Sequence, residues 1–549
     1  MVQSPNVIIP SFIAGFSGHR DIVAHKVIAD ALDAVWQQLQ QQAKQRGGAL
    51  EVYSSIAYGA DTIAVETARA AGLRVHLILP KPIITVAGET IDTQAGFAAD
   101  FWDNDPQESG FRSRDWDRAY VQIREAKAGV NGGTLRLTHG AQTAPDCYYD
   151  AGLEVLECCD VLVVVWDGKE ARGLGGTAEM VTHARALGLP LLIVDATTGK
   201  LQPERLEKFA AAGEAGCEVI QEVDAFSEKC ASPNAAEPES AESIFQRLAA
   251  CSNQESEAFR GSLVCIIKLH GFATLVAAVA CILPHSSVPW KVALAALALL
   301  ELLMIGWALF LTRRLNRNEV HRRWIRARFA TEIIRAMQPA ALLDPLYPLV
   351  ARHDASWRRF AVTLGLMLHR ERQPLVDWKT ARQAYVDVRL RHPKMTVGQI
   401  QYYGEKQKSA ASRSHGAARW SGRFTLAATI LVAVAVVYKA WDAWHSLADM
   451  PEGHHGWDWW GLLTDVMFRL MPIALPLAAG ILISLRAALD SGRRAYRYRE
   501  LSEFLTSSAA KLEILQTEAS VRREVAAIEE VLLDELIEWH LVEQQNSAH

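Results

Sequence analysis

A glycine-rich loop carries the clearest chemical signal in the sequence. The apolar, β-branched run Asp160-Val-Leu-Val-Val-Val-Trp-Asp167 leads through Gly173 into Gly175-Gly176-Thr177, and residues with helical spacing follow. Glycines let a backbone approach a ligand closely, and the first turn of a helix offers free N–H groups to an anion. The pattern predicts a phosphate seat. The alternative is an ordinary strand-to-helix turn in which the glycines serve packing.

Two further loops combine glycine with polar residues, and together the three loops supply our candidate ligand contacts. We expect phosphate contact from Gly15, Gly18, Gly59, Gly175, Gly176 and Thr177. His19 and Arg20 would meet ligand charge. Asp61 and Asp167 would hydrogen-bond a ribose or a base, and Glu179 would do the same or act as a catalytic carboxylate. His19 could instead cap its loop, and Asp61 could instead be a carboxylate at a helix N-terminus.

The elements that must hold these loops alternate between strands and helices. Strands are predicted at 12–16, 50–54, 74–80, 134–138, 161–166 and 191–195, with a last short strand at 218–220. This alternation predicts an α/β fold, a doubly wound, Rossmann-like parallel sheet that binds ligands at the carboxyl ends of its strands. The three loops would then converge on one edge. Residues 81–133 form an insertion to which we assign no role.

Several of these motifs resemble the SLOG superfamily of Rossmann-like domains. They are Gly15-Phe-Ser-Gly-His-Arg-Asp21, Gly59-Ala-Asp61, Ala99-Asp-Phe101, Cys159 to Gly168, and Gly175-Gly-Thr-Ala-Glu179. The superfamily includes the LOG nucleotide phosphoribohydrolases, the DNA-processing proteins and the N-terminal domains of TRPM channels. The resemblance covers about residues 10–225 and implies binding of a nucleotide or a nucleotide-derived ligand.

The sequence departs from the hydrolase motif of that superfamily. LOG hydrolases carry Gly-Gly-x-Gly-Thr-x-x-Glu, whereas here Met180 stands where that glutamate would fall and Glu179 stands one position early. The departure argues against cleavage of an N-glycosidic bond. We therefore place binding of the ligand ahead of its hydrolysis.

Composition and charge exclude some classes of protein. The 549 residues predict two to four domains, and a net charge of −5 argues against a general nucleic-acid binder. The eight cysteines show no paired spacing and are expected to be reduced. No Cys/His metal cluster stands out, so we expect no metal and no cofactor besides the nucleotide-derived ligand. No cleaved signal is apparent at the N-terminus.

Four late segments are apolar enough to cross a bilayer: 263–283, 288–311, 422–441 and 461–485. The alternative is a very apolar soluble bundle. Arginines crowd residues 312–330 and follow the fourth segment, whereas the loop 440–461 is acidic and tryptophan-rich. The positive-inside rule then predicts a multi-pass protein of the bacterial inner membrane with both termini in the cytoplasm.

Ionisable groups inside such segments are costly and are functional candidates. These are Lys268, Glu301, Asp465 and Arg469. Glu301 is expected to line a bundle interior or to pair with Lys268. Snorkelling of Lys268 and a local ion pair between Asp465 and Arg469 are the alternatives.

The membrane half, over about residues 245–545, resembles the SLATT family of two-span effector modules. The resemblance is carried by the two hairpins, the arginine-rich helices and the ending Glu529-Glu-Val-Leu-Leu-Asp-Glu-Leu-Ile-Glu-Trp539. It implies pore formation or membrane disruption triggered by a bound signal. Residues 491–543 have the spacing of one long amphipathic helix or coiled coil. Hairpins with small apolar faces suggest a homo-oligomer.

The predicted domains are 1–225 for ligand binding, 226–260 for a linker and helix, 261–311 and 421–489 for two hairpins, 312–420 for a helical region and 490–549 for the last helix. Together they favour a membrane-anchored effector whose SLOG-like domain senses a nucleotide-derived signal, as in antiphage defence. The alternatives are a membrane-tethered nucleotide or nucleoside N-glycosidase and a scaffold whose spans only anchor it.

Overall fold

The computed structural model describes residues 8–57, 59–79, 114–138, 144–170, 174–229, 240–280, 288–317, 320–341, 343, 350, 355–371, 378–392, 398–446, 466–488 and 491–547. Predictions at Gly173, Asp465, 99–101, residues 230–239 of the predicted linker and most of the loop 440–461 lie outside these residues. The side chain of Arg469 does so too, although its backbone lies in a short π-helix at Val466–Leu470.

A seven-stranded sheet forms the core of the N-terminal part. Its strands are β1 (Ser11–Gly18), β2 (Ala49–Ser54), β3 (Arg74–Leu79), β4 (Thr134–Leu137), β5 (Val161–Trp166), β6 (Leu191–Asp195) and β7 (Leu201–Glu204). The order across the sheet is β4-β3-β2-β1-β5-β6-β7, and every neighbouring pair is parallel except β6 with β7. The predicted strands up to 195 are confirmed, since their apolar runs are buried between packed helices.

Helices alternate with the strands as predicted. They are α1 (His25–Gln45), α2 (Ala60–Ala70), α3 (Arg114–Lys127), α4 (Ala144–Cys158), α5 (Thr177–Ala186) and α6 (Leu206–Lys229). The strand predicted at 218–220 is wrong, because these residues lie inside α6. Cys217, Ile220 and Val223 are buried at three-residue steps, which is helical spacing. The last strand is instead β7, a short edge strand that contains Pro203.

The contacts divide the chain into two compact units. The sheet unit comprises 1–251, 326–385 and 511–546, and the apolar unit comprises 252–325, 386–510 and 547–549. The sheet unit therefore includes α10 (Arg358–Glu371) and α11 (Trp378–Tyr385), which lie in sequence between the two pairs of apolar segments. It also includes most of α9 (Val320–Ala340) and of α15 (Glu518–Ser547).

In the described part of the chain, four helices are long and apolar enough to cross a membrane: α7 (Ala241–Ala280), α8 (Val288–Arg317), α12 (Gln399–Ser446) and the one that begins with α13 (Met471–Ala488). The mean hydropathy of their most apolar windows is 1.7 to 2.3, yet at most 17% of each window is buried. Within the apolar unit α12 packs along α13. Gly271 of α7 lies directly against Ile481 of α13.

The single helix predicted over 491–543 is two helices, α14 (Ser491–Ile514) and α15. Thr517 ends the break between them, because its hydroxyl accepts a hydrogen bond from the Ser520 amide at 3.3 Å and so caps α15. Within α15, Glu529 is fully buried and accepts a 2.6 Å hydrogen bond from Tyr385 of α11.

Candidate functional site

The loops that follow β1 and β5 contact each other at the carboxyl ends of these two strands. These neighbours lie where the strand order reverses, because the chain runs outward from β1 to β4 and then returns to β5. In open α/β sheets ligands bind at such a point. The His19 amide donates to the Val165 carbonyl at 3.1 Å, and His19 Nε2 lies 2.9 Å from Asp167 Oδ1. The predicted convergence of these two loops is confirmed.

Asp167 is a fixed anion at this edge. Partial burial raises the pKa of its carboxyl, but the Lys169 amide at 3.0 Å and the His19 ring lower it more, to about 2. The Lys169 ammonium adds a contact at 3.3 Å. His19 is thus held by Asp167, and both side chains remain partly exposed. This arrangement fits the loop-capping alternative for His19 and leaves contact with a ligand open as a prediction.

The glycine loop before α5 is held in place by Glu179. Gly175 has φ of +79°, and a side chain there would come within 2.8 Å of the Tyr149 amide nitrogen. The Gly175 amide donates to Glu179 Oε2 at 2.7 Å. Glu179 therefore holds the glycine loop against the first turn of α5. Any catalytic role for Glu179 stays a prediction.

The first turn of α5 presents unused donors. Gly176 precedes the helix with φ −75° and ψ 160°, and its carbonyl accepts from the amides of Glu179 and Met180. Within the described part of the chain, the amides of Thr177 and Ala178 donate no hydrogen bond. Free N–H groups at a helix N-terminus attract anions. The predicted phosphate seat is geometrically available here.

The glycines of the other two loops serve close packing. A side chain at Gly59 (φ +80°) would meet the Arg20 carbonyl, and the neighbouring Ala60 amide donates to the His19 carbonyl at 3.0 Å. Gly18 lies directly against Ala60. These contacts fasten the loop after β1 onto the first turn of α2.

Two of the predicted ligand residues lie inside the fold. Gly15 is buried within β1, and a side chain there would lie 2.9 Å from Val155 of α4 and from Cys159, which follows that helix. Its missing side chain lets α4 pack on the sheet. Asp61 is only 1% exposed and accepts a hydrogen bond from the Ala57 amide at 3.2 Å. Burial raises the pKa of Asp61 to about 7 in spite of that bond.

The helix-terminal alternative for Asp61 matches this geometry, since its Oδ2 also accepts from the hydroxyls of Ser54 and Ser55. Its Oδ1 is buried without a hydrogen-bond partner among the described residues. Contact between Asp61 and a ligand would require the loop after β2 to open.

Four residues that line the site were not among the predicted contacts. The Arg20 guanidinium lies 5.4 Å from the centre of the Tyr148 ring, and the adjacent Tyr149 hydroxyl lies 3.0 Å from His183 Nε2. Asp195 ends β6 at the same edge and accepts from Thr198 at 2.7 Å, which lowers its pKa. The position of Asp195 after a predicted strand could have identified it. Tyr148 and Tyr149 lie in the second turn of α4 and have no comparable pattern around them in the sequence.

The opposite, amino edge of the sheet is closed by α10, whose role was not predicted. Arg359 is 5% exposed, donates to the Ser11 carbonyl at 2.8 Å and lies 3.8 Å from the centre of the Phe12 ring. Both Arg358 and Arg359 pair with Asp160, at 2.6 and 3.3 Å. They hold the pKa of that buried carboxyl below its usual value despite burial.

Farther along α10, Thr363 accepts from the Ser11 amide at 3.0 Å. Arg370 pairs with Glu51 of β2 at 3.3 Å, and Glu51 also bonds His76 of β3 at 2.7 Å. Burial raises the pKa of Glu51, but His76 and Arg370 bring it to about 2. We call Arg358, Arg359 and Arg370 the basic clamp. It ties α10 to β1, β2 and the start of β5.

The ionisable residues of the apolar helices are only partly described. Lys268 is exposed, and Glu301 is half-buried. Among the described residues the two form no ion pair, and their pairing stays a prediction. The less exposed positions of α8 recur at 294, 297, 301, 304 and 308, which places Glu301 on the inner face of that helix.

Compared with known proteins, the chain matches no protein-family model and no curated protein. The SLOG and SLATT resemblances therefore stay predictions based on the motifs alone.

Proposed function

We propose that the protein is a membrane-anchored effector. An anionic, nucleotide-derived ligand would bind at the carboxyl edge of the sheet and change the state of the four apolar helices, which would open a pore or disrupt the membrane. One observation carries this proposal. The segment between the second and third apolar helices belongs to the sheet unit, and its basic clamp holds the amino ends of β1 and β5.

The ligand class is inferred from the chemistry of the opposite edge. The free amides of Thr177 and Ala178 suit a phosphate, and Arg20 is an exposed cation beside Tyr148. The carboxylates of Asp167 and Asp195 are acceptors of the kind that bind ribose hydroxyls. The reversal of strand order between β1 and β5 suits a doubly wound, Rossmann-like nucleotide fold.

The membrane location is inferred from the exposure of apolar side chains. On α8, Leu302 and Leu303 are 66% and 61% exposed, and on α12 Val437 is 69% exposed. A water-soluble bundle would bury such long apolar helices, whereas lipid solvates them. This exposure favours a membrane protein over the soluble bundle.

The coupling route follows from the strands. β1 and β5 carry the candidate site at one end and the basic clamp at the other, so a ligand that shifts either strand changes what α10 contacts. The chain continues from that segment into α8 on one side and α12 on the other. A packed sheet transmits such a shift because it has few voids.

The test uses the full chain in nanodiscs, screened by thermal shift and native mass spectrometry against mononucleotides, cyclic oligonucleotides and ADP-ribose. Gly176→Asp should abolish binding, since its carboxylate would occupy the free amides, while the fold is kept because Asp is a good N-cap. The ligand found should then release dye from liposomes that contain the wild type and not from those with the variant.

If the ligand raises the unfolding temperature of the Gly176→Asp variant as much as that of the wild type, the proposed site is wrong. Recovery of a free base and a sugar phosphate, lost on Glu179→Gln, would move the N-glycosidase to first place. The hydrogen bond of Glu179 to Gly175 favours the intact-ligand outcome.

A further inference from the structure

Six arginines flank the apolar stretches of three helices. We call them the arginine collar: Arg313, Arg314, Arg419, Arg423, Arg486 and Arg493. Arg313 and Arg314 end the apolar window of α8, and Arg419 and Arg423 precede that of α12. Arg486 lies in the last turn of α13, and Arg493 lies in the first turn of α14. Among the described residues none of the six forms an ion pair.

A shortage of acids does not explain the missing partners, because many arginines of the sheet unit have one. Each of Arg69, Arg118, Arg136, Arg185, Arg326 and Arg358 has a carboxylate partner. In the collar, no carboxylate of a described residue neutralises the guanidinium groups. Like charges held together without counter-charges repel one another, so an external anion would stabilise them.

Contacts within the apolar unit bring the collar residues of α13 and α14 close to α12. The Ser414 hydroxyl of α12 and Arg486 Nη2 lie 3.4 and 3.8 Å from the position of a side-chain carbon at Gly492. The end of α13, the start of α14 and α12 therefore meet at one level. Arg493 follows Gly492 directly, and its side chain is exposed.

The collar borders directly on exposed apolar surface. The Arg423 guanidinium lies 5.1 Å from the centre of the Trp420 ring, and Trp420 is itself 50% exposed. One turn farther, Leu426 is 62% exposed, and Ile483 is 56% exposed one turn before Arg486. Cations, a half-exposed tryptophan and aliphatic side chains thus follow one another along the same helices.

We infer that the arginine collar binds the headgroups of anionic phospholipids, an inference that rests on the proposed insertion in a membrane. Guanidinium groups form bidentate hydrogen bonds with phosphate oxygens, which an ammonium cannot match in geometry. The neighbouring leucines, isoleucines and tryptophan contact the acyl chains and the glycerol region. An anionic lipid satisfies both surfaces at once, whereas a free phosphate satisfies only the first.

The test reconstitutes the full chain in nanodiscs of equal parts phosphatidylcholine and phosphatidylglycerol, extracts it gently and identifies the retained lipids by native mass spectrometry. The wild type should retain phosphatidylglycerol preferentially. The double variant Arg486→Gln and Arg493→Gln should lower this enrichment roughly tenfold, given the usual contribution of a cation near an anionic surface. The matched Arg486→Lys and Arg493→Lys variant should keep part of it.

Lys291→Gln is the control, because Lys291 is exposed at the other end of the apolar window of α8 and its loss should leave the enrichment unchanged. Inorganic phosphate at millimolar concentration should not displace the lipid; displacement would identify a simple phosphate site and overturn the inference. Equal retention of both lipids by an inserted wild type would also overturn it. A chain that never enters the nanodisc would contradict the proposed membrane function instead.

Discussion

Asp61 and Asp167 follow strands at the same edge of the sheet, yet their surroundings shift their pKa values in opposite directions. Asp61 is buried and its pKa rises to about 7, whereas the Lys169 amide and His19 bring that of Asp167 to about 2. A carboxyl with a raised pKa stabilises the fold when protonated. That contribution is complete below about pH 4 and is lost as the pH rises through 7.

We therefore expect Asp61→Asn to be nearly neutral at pH 4 and stabilising at pH 8. One pKa unit corresponds to about 1.4 kcal/mol, so the wild type should lose roughly 4 kcal/mol of unfolding free energy over this range. The measurement is thermal unfolding of the full chain in detergent at both pH values, followed by tryptophan fluorescence. A variant whose midpoint differs from the wild type equally at pH 4 and pH 8 would contradict the burial argument.

Asp167→Asn is the control, because its effect on stability should depend on pH in the opposite direction. A lowered pKa stabilises the fold above the unfolded value near pH 4, and the contribution is lost as the pH falls toward 2. The variant should therefore be destabilised at neutral pH and should approach the wild type in acid.

Gly175 and Gly188 both have positive φ angles, but only Gly175 has backbone against it. A side chain at Gly175 would come within 2.8 Å of the Tyr149 amide, whereas at Gly188 the nearest atom is the flexible Lys208 ammonium at 3.8 Å. Gly188→Ala should cost about 1 kcal/mol for its left-handed backbone. Gly175→Ala should cost a further 1 to 3 kcal/mol, approximately, for overpacking.

Urea or thermal unfolding of both glycine variants measures the difference. Equal destabilisation would mean that the loop before α5 can move away from α4. In that case the close approach seen at Gly175 would have no part in shaping the ligand site.

At the scale of elements, the basic clamp should matter more than any surface ion pair. Arg359 and Asp160 are both about nine-tenths buried or more, with side chains 5% and 6% exposed. Removing one member of a buried pair leaves charge and carbonyl groups unsatisfied, so Arg359→Met should cost about 3 kcal/mol. Arg185→Met removes an exposed pair with Glu204 and should cost less than about 1 kcal/mol.

The measurement is hydrogen exchange of the buried β1 and β5 amides in the full chain, which reports the unfolding free energy of the sheet unit. If Arg359→Met proves as mild as Arg185→Met, α10 is not fastened to the sheet as the contacts indicate. The same outcome would remove the coupling route from the proposed function.

Local patterns predicted most of the elements and failed where the decisive contacts are distant in sequence. β5 is a continuous apolar run and was found, whereas β7 is a four-residue edge strand without alternation and was missed. Ser11 and Thr363 bond across 352 residues, and no periodicity reports such a pairing. This is why α10 could be predicted as helical without its role in the sheet unit.

For the candidate site, too, local sequence patterns predicted only the features that do not depend on distant contacts. The loops at Gly18, Gly59 and Gly175 were found because strand ends and glycines are visible in the sequence. Which glycine faces a ligand and which faces a helix depends on packing, as Gly15 against Val155 shows. The burial of Asp61 under the loop after β2 was likewise not readable from its neighbours.

At the scale of the whole molecule, exposed apolar residues on the two units should respond differently to charge. Leu302 of α8 is 66% exposed, and Val23 of the sheet unit is 97% exposed. If lipid surrounds α8, Leu302→Arg adds about 3 kcal/mol to the cost of inserting that helix. The fraction of protein that resists carbonate extraction from membranes should fall, and more of it should be degraded or aggregate.

Val23→Arg is the matched change on a surface that we expect to meet water. It should leave the membrane-integrated fraction and the unfolding midpoint unchanged, because a solvated arginine on a loop costs little. A wild type that washes off with carbonate, or a Leu302→Arg variant that inserts as well as Val23→Arg, would mean that lipid does not surround the apolar unit. The exposed leucines of α8 would then need protein rather than lipid to cover them, and the effector would have to act without a membrane pore.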